Sequence, residues 1–211
     1  SELLRRVIDE ELPSSCVVLE GKCYEREQIP YRALDRLVDS LSSKLLAVDG
    51  DDMEALVWAD IGVVSRMFPV LRRVPAIDRI CENSGRQDHR IPREQRRAAA
   101  ATLVRLLSLV ADGRKLILYI DDLQWGDEES ATLLREVLLD AKALDLRLVC
   151  CHGHPLEGSS VVARLFEGDA PIEHVEIRLA SLDRDESEQL TRALLGPDAD
   201  AGHVARVAAA G

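Results

Sequence analysis

The sequence predicts an α/β fold, in which a mostly parallel sheet carries helices on both faces. Residues 115–120 form a short apolar run without polar alternation, which is typical of a strand that is covered on both faces. Residues 146–151 predict the next strand. Amphipathic helical patterns lie before and after these runs, and strands that alternate with helices favour a parallel sheet.

Two elements are predicted near the start of the chain. Residues 1–12 carry Leu, Val and Ile at helical spacing, and Pro13 ends this helix. Residues 16–20 form an apolar, β-branched run after a turn, which predicts a buried strand. Residues 21–30 then read as a loop.

Two helices and one polar loop are predicted in the middle of the chain. Residues 31–46 have leucines three to four positions apart, which is typical of an amphipathic helix. Residues 63–71 are apolar. Residues 75–92 are polar and contain an Asn-Ser-Gly turn, which predicts a surface loop. Residues 93–110 carry an apolar stripe, and Asp112-Gly113 ends the predicted helix.

The second half repeats the alternation of strands and helices. Asp127 is a good N-cap, and Leu and Val at helical spacing continue a helix from it to Ala141. This helix separates the two apolar strands. The remaining patterns predict a helix over 159–166, a strand over 175–179, and helices over 184–195 and 201–210.

Composition excludes several classes of protein. The 211 residues include 27 Lys and Arg against 38 Asp and Glu, a net charge of −11 that repels nucleic-acid backbones. No apolar run approaches the roughly 18 residues that span a bilayer, and no signal segment opens the chain. The five cysteines include no CxxC pair, which favours reduced thiols over a disulfide framework. We therefore expect a cytoplasmic domain.

The strongest chemical signal is the pair Asp121-Asp122 at the end of a predicted strand. In open parallel sheets, ligands bind beyond the carboxyl ends of the strands. Mg²⁺ prefers hard oxygen ligands, so one carboxylate suits it when substrate phosphates supply the rest. The alternative is that these acids have no chemical role and only end a strand and begin a turn.

The residues around this pair resemble a known family. Residues 116–134, LILYIDDLQWGDEESATLL, closely resemble the Walker B region of AAA-type signalling ATPases of the STAND class, which are P-loop NTPases. Residues 21–41 and 93–122 agree with the same family. Members are often fused to bacterial Ser/Thr protein kinases, guanylate cyclases or LuxR-type helix-turn-helix regulators.

The resemblance implies a three-layer P-loop NTPase-like fold, ATP or ADP with Mg²⁺ as cofactors, and site residues. Asp121 would hold Mg²⁺, and Asp122 would orient the attacking water or sense the nucleotide state. Residues 1–180 would form the ATPase core, and residues 181–211 would begin a helical lid subdomain. The implied partners are the nucleotide, a fused output domain and, in some states, a second copy of the chain.

Ser1 resembles the hydroxyl residue that ends the family's phosphate loop, GxxxxGK followed by Ser or Thr. It would then bind Mg²⁺, and we expect the rest of that loop and the central strand before it to be missing from this sequence. The alternative is an ordinary helix with a capping Ser. Gly21-Lys22 is not this loop, because no Gly precedes it at the required spacing and Cys23 follows it.

The segment after residues 146–151 departs from the family pattern. Gly153 stands where an arginine usually reads the γ-phosphate, which puts hydrolysis in doubt. His152 is a candidate substitute. The cysteines and histidines of this segment also offer zinc ligands, but adjacent strand residues point to opposite faces and no second ligand pair is present.

These observations favour an ATP-binding and hydrolysing switch module of a multidomain bacterial signalling protein. The main alternative is a regulatory or interaction module that keeps the fold without turnover. A third alternative is an unrelated α/β protein in which Asp121 and Asp122 serve other metal chemistry.

Overall fold

The structure is a computed structural model. It describes residues 2–13, 15–25, 30–48, 60–83, 92–153, 160–166, 172–196, 200, 202 and 206–207. The chain divides into two compact units, residues 1–172 and residues 173–211. The first contains the sheet, and the second contains one helix among its described residues.

Three parallel strands form the sheet, in the order β1 (Val17–Lys22), β2 (Leu116–Asp121) and β3 (Leu146–Cys150). All six residues of β2 are buried, as its unbroken apolar sequence predicts for a central strand. The prediction of an α/β fold with a parallel sheet is confirmed. β1 reaches two residues beyond the predicted strand, because Gly21 and Lys22 pair with Ile120 and Asp121 instead of entering a loop.

Strand register decides which side chains share a face. Leu19 and Leu118 are cross-strand partners, and both belong to the main hydrophobic core. The alternate residues Ile117 and Tyr119 point to the opposite face, since side chains alternate along a strand, and they are buried as well. Lys22 and Asp121 are partners on this second face.

Helices surround the sheet and complete the core. Helix α2 packs on β1, and the helices between β2 and the end of the first unit pack on one another. The described helices are α1 (Glu2–Glu10), α2 (Arg32–Leu45), α3 (Ile61–Met67), α4 (Pro75–Asn83), α5 (Pro92–Ala111), α6 (Glu128–Asp140), α7 (Ser160–Phe166) and α8 (Arg184–Leu195), with 3₁₀ turns at Pro69–Arg73 and Leu123–Trp125.

The surface loop predicted over residues 75–92 is wrong in its first half, which is helix α4. Pro75 takes the first helical position, where its fixed φ is favourable and its missing N–H costs nothing. Ala76 and Ile77 are buried, so packing stabilises a helix that its polar composition did not suggest. Residues 84–91 lie outside the described residues.

The strand predicted over residues 175–179 is also wrong. Residues 172–182 have no strand pairing in the structure, and Val175 is 88% exposed. The alternating sequence has strand propensity, but a strand forms only where a neighbour accepts its backbone hydrogen bonds. Of the helix predicted over 201–210, most lies outside the described residues. The helix predicted over 159–166 is confirmed as α7.

Gly126 allows the chain to turn closely between β2 and α6. A Cβ atom at this position would lie 3.1 Å from the carbonyl oxygen of Leu123, 3.1 Å from Cγ1 of Val161 and 3.3 Å from Cβ of Ala33. We expect Gly126→Ala to destabilise the domain by about 1–3 kcal/mol through overpacking, measured by urea unfolding.

Gly62→Ala is the matched control for this prediction. Gly62 lies in helix α3, and the nearest atom to its Cβ position is Nη1 of Arg66, at 3.6 Å on a flexible side chain. Alanine there should stabilise the domain by roughly 0.5–1 kcal/mol through helix propensity. Equal effects of the two substitutions would contradict the close packing at Gly126.

Candidate functional site

The candidate site lies at the carboxyl ends of the three strands. Lys22 is the last residue of β1, Asp121 is the last residue of β2, and Asp122 follows directly. Backbone bonds continue beyond the strands, because the N–H of Cys23 donates to the carbonyl oxygen of Asp121 at 3.0 Å. The site is therefore anchored in the sheet.

Asp121 and Asp122, the two predicted site residues that the structure describes, lie together around one ammonium group. Nζ of Lys22 lies 3.1 Å from Oδ2 of Asp121 and 3.0 Å from Oδ2 of Asp122. The Asp121 side chain is only 7% exposed, whereas that of Asp122 is 34% exposed. The hydrogen bond to Asp122, and then the one to Asp121, raises the pKa of Lys22 above its usual value.

Asp122 has a left-handed backbone conformation, with φ 56° and ψ 39°. Asp tolerates this region better than most residues, because its short polar side chain can bond locally. The conformation turns the chain directly from β2 into the 3₁₀ turn, where the N–H of Leu123 donates to the carbonyl oxygen of Cys151 at 2.8 Å. The turn presents the Asp122 carboxylate at the end of the sheet, where β1 and β3 flank it.

Gln124 links Asp122 to the segment after β3. Its Nε2 donates to Oδ1 of Asp122 at 3.3 Å, and its Oε1 accepts from the backbone N–H of Gly153 at 3.1 Å. One side chain thus contacts both Asp122 and Gly153, the position at which the resemblance expects a sensor. Nδ1 of His152 lies 3.4 Å from the carbonyl oxygen of Gly153, and its sensor role stays a prediction.

Burial raises the pKa of two further groups beside the acids, Tyr119 and Cys150. Burial, with smaller contributions from Cys151 and Asp121, raises the pKa of Tyr119, whose hydroxyl lies 4.0 Å from Sγ of Cys151. Loss of hydration raises the pKa of the Cys150 thiol to about 12. A soft metal would need a thiolate, so the raised pKa of Cys150 does not favour the zinc alternative. His154 lies outside the described residues.

Two helices are tied together next to the site by Asp127. This residue is the N-cap of α6, where its carboxylate accepts from the N–H of Ser130 at 2.8 Å and from the hydroxyl of Ser130. It also accepts from the N–H of Tyr31 at 3.1 Å, at the start of α2. Ser130 in turn accepts from the N–H of Ala33 at 3.2 Å. The cap of one helix therefore positions the other.

Comparison with known families agrees with this geometry. A family model described as the AAA ATPase domain matches residues 1–151, which include all three strands and both acids. The chain belongs to the AAA ATPase domain family. No curated protein and no solved structure matches it.

The AAA ATPase family uses nucleotide and typically Mg²⁺, and the donor atoms of this site fit that ion. Asp121 and Asp122 supply hard carboxylate oxygens, and the ammonium of Lys22 already lies against both of them. In the part of the chain that the structure describes, no group of three or more His, Cys, Asp or Glu could hold a metal. One or two carboxylates with waters and phosphate oxygens are the usual Mg²⁺ environment.

Sequence reasoning missed Lys22 as a residue of this AAA ATPase domain's site. It excluded Gly21-Lys22 as a phosphate loop and assigned both residues to a loop. Its position at the end of β1 could have revealed it. Because β1 is parallel to β2 and pairs with it, the last residue of β1 lies at the same sheet edge as Asp121. Ser1 lies outside the described residues, so its proposed contact with Mg²⁺ stays a prediction. No described helix is long and apolar enough to cross a membrane.

Proposed function

We propose that this domain is a nucleotide-dependent switch module of a multidomain bacterial signalling protein, and that it binds and hydrolyses ATP. Membership of the AAA ATPase family makes the chain a nucleotide-binding P-loop NTPase module. The observation that carries the proposal further is the pair of adjacent carboxylates at the end of the central strand, one buried and one partly exposed.

The two acids take different roles in this proposal. Buried Asp121 is held by β2 and is suited to fix a cation, together with the hydroxyl of Ser1. Asp122 is more exposed, so its carboxylate can reach an attacking water and orient it toward the γ-phosphate. Asp121 and Ser1 would hold Mg²⁺, which would supply positive charge to offset the negative charge that develops on the phosphate during transfer.

The contacts of Gln124 support a switching role for the domain in addition to hydrolysis. Because it contacts Asp122 and the backbone of Gly153 at once, a change at the nucleotide would alter a contact with the segment after β3. That segment would pass the signal to a fused kinase, cyclase or DNA-binding domain, or to a second copy of the chain.

Asp121→Asn tests the nucleotide site. We expect this substitution to weaken Mg²⁺·ATP binding at least about tenfold, because an amide cannot supply the negative charge that the ion requires. Calorimetry on the natural polypeptide that contains residues 1–211 measures the change. Asp145→Asn is the matched control, since Asp145 pairs with Lys115 at 3.7 Å at the opposite end of the sheet. Equal affinities for wild type and Asp121→Asn would contradict the proposal.

A second candidate function is a regulatory module that binds nucleotide without turnover. Gly153 favours it, because this position has no side chain that could contact a γ-phosphate. The same polypeptide separates the two candidates in a phosphate-release assay. Turnover that depends on Mg²⁺ supports the switch with hydrolysis, whereas tight binding with no release of phosphate supports the second candidate.

A further inference from the structure

The ammonium group of Lys22 lies against Asp121, the proposed cation ligand, and against Asp122 beside it. Its distances of 3.1 Å to Asp121 and 3.0 Å to Asp122 are those of two charge-assisted hydrogen bonds. The sheet register imposes this position, because Lys22 and Asp121 are cross-strand partners in β1 and β2 and share one face.

We propose that Lys22 is an internal competitor for the divalent cation: its ammonium group pairs with Asp121 and Asp122 in the metal-free domain and is displaced when the metal binds. This inference rests on the proposed function, because it concerns the same cation site. It adds a regulatory property, namely that a metal ion alone binds poorly.

The metal ion and the ammonium group of Lys22 exclude each other from this site because of their size and charge. A Mg²⁺ ion contacts carboxylate oxygens at about 2.0–2.1 Å. An ammonium group hydrogen-bonded to the same oxygens would then lie within a few ångströms of a doubly charged ion, and the two like charges repel strongly. One of the two cations therefore has to leave.

Lys22 is the mobile member of the group. Its side chain is 40% exposed and ends a flexible four-carbon stem, so its ammonium group can turn into solvent. Asp121 is 7% exposed and held within the sheet, so it stays in place. Without metal, Lys22 thus offsets part of the negative charge of the two acids, and the cost of displacing it lowers metal affinity.

Lys22→Met tests the competition, with Mn²⁺ alone as the probe. We expect this substitution to raise Mn²⁺ affinity about tenfold, because it removes the positive charge that lies against both acids. The affinity is measured by electron paramagnetic resonance of free Mn²⁺, on the natural polypeptide that contains residues 1–211. Addition of Mn²⁺ should also raise the Tm of Lys22→Met by more than it raises the Tm of the wild type.

Two variants control for charge and fold. Lys115→Met removes a lysine that pairs with Asp145 at the other end of the sheet, and its Mn²⁺ affinity should equal that of wild type. Lys22→Gln replaces Lys22→Met as the test if the methionine variant does not fold. An unchanged or weaker affinity in the Lys22 variant, or an equal gain in Lys115→Met, would overturn the proposal.

Asp121→Asn separates this proposal from the proposed function. If Asp121→Asn loses Mn²⁺ while Lys22→Met binds like wild type, the cation site stands and the competition is wrong. If Asp121→Asn binds Mn²⁺ as well as wild type does, the cation site itself is wrong, and both proposals fail together.

Discussion

Asp122→Asn is expected to slow ATP hydrolysis by about 100-fold or more while ATP binding changes little. A carboxylate that orients or deprotonates the attacking water contributes about 10²–10⁴-fold to a rate, and an amide cannot accept that proton. Asn tolerates the left-handed conformation that Asp122 has at φ 56°, so the turn into the 3₁₀ segment is kept. Steady-state phosphate release and calorimetric ATP binding measure the two effects separately.

Asp112→Asn is the matched control for this prediction. Asp112 also has a left-handed conformation, at φ 48°, but it lies in the turn before β2, at the amino end of the strand. The Asp112→Asn variant should hydrolyse ATP at the wild-type rate. A hydrolysis rate in Asp122→Asn within threefold of wild type would remove Asp122 from the proposed mechanism.

Asp127→Ala is expected to lower the free energy of unfolding by about 1.5–5 kcal/mol. The substitution removes the N-cap of α6, which costs about 0.5–2 kcal/mol. It also leaves the N–H of Tyr31 at the start of α2 without this acceptor, at a further cost of about 1–3 kcal/mol. Thermal unfolding should show a fall in Tm of about 3–20 °C.

Asp183→Ala is the control that separates the effect of losing an N-cap from the effect of losing the hydrogen bond between Asp127 and Tyr31 at the start of α2. Asp183 is the N-cap of α8 and accepts from the N–H of Glu186 at 2.8 Å within a capping box. Its loss should cost about 1 kcal/mol. If Asp127→Ala costs no more than Asp183→Ala, the hydrogen bond from Asp127 to α2 contributes nothing to stability.

Local patterns were enough to predict most elements of the first unit. The apolar run that became β2 has no alternation, so it predicts a strand buried on both faces, and all six of its residues are buried. Asp127 was recognisable as the N-cap of α6, because capping depends only on neighbouring residues. The errors fell where local composition and packing disagree, as in α4, and where a strand lacks a partner, as at residues 175–179.

The sequence by itself determined that Asp121 and Asp122 end a buried parallel strand and that the chain resembles AAA-type ATPases. Only the tertiary structure decided what lies against them. Lys22 is 99 residues from Asp121 along the chain, and register between β1 and β2 makes them partners. Gln124 joins Asp122 to Gly153 because the 3₁₀ turn and the end of β3 lie side by side. Such contacts depend on the pairing of distant segments, which short-range periodicity does not encode.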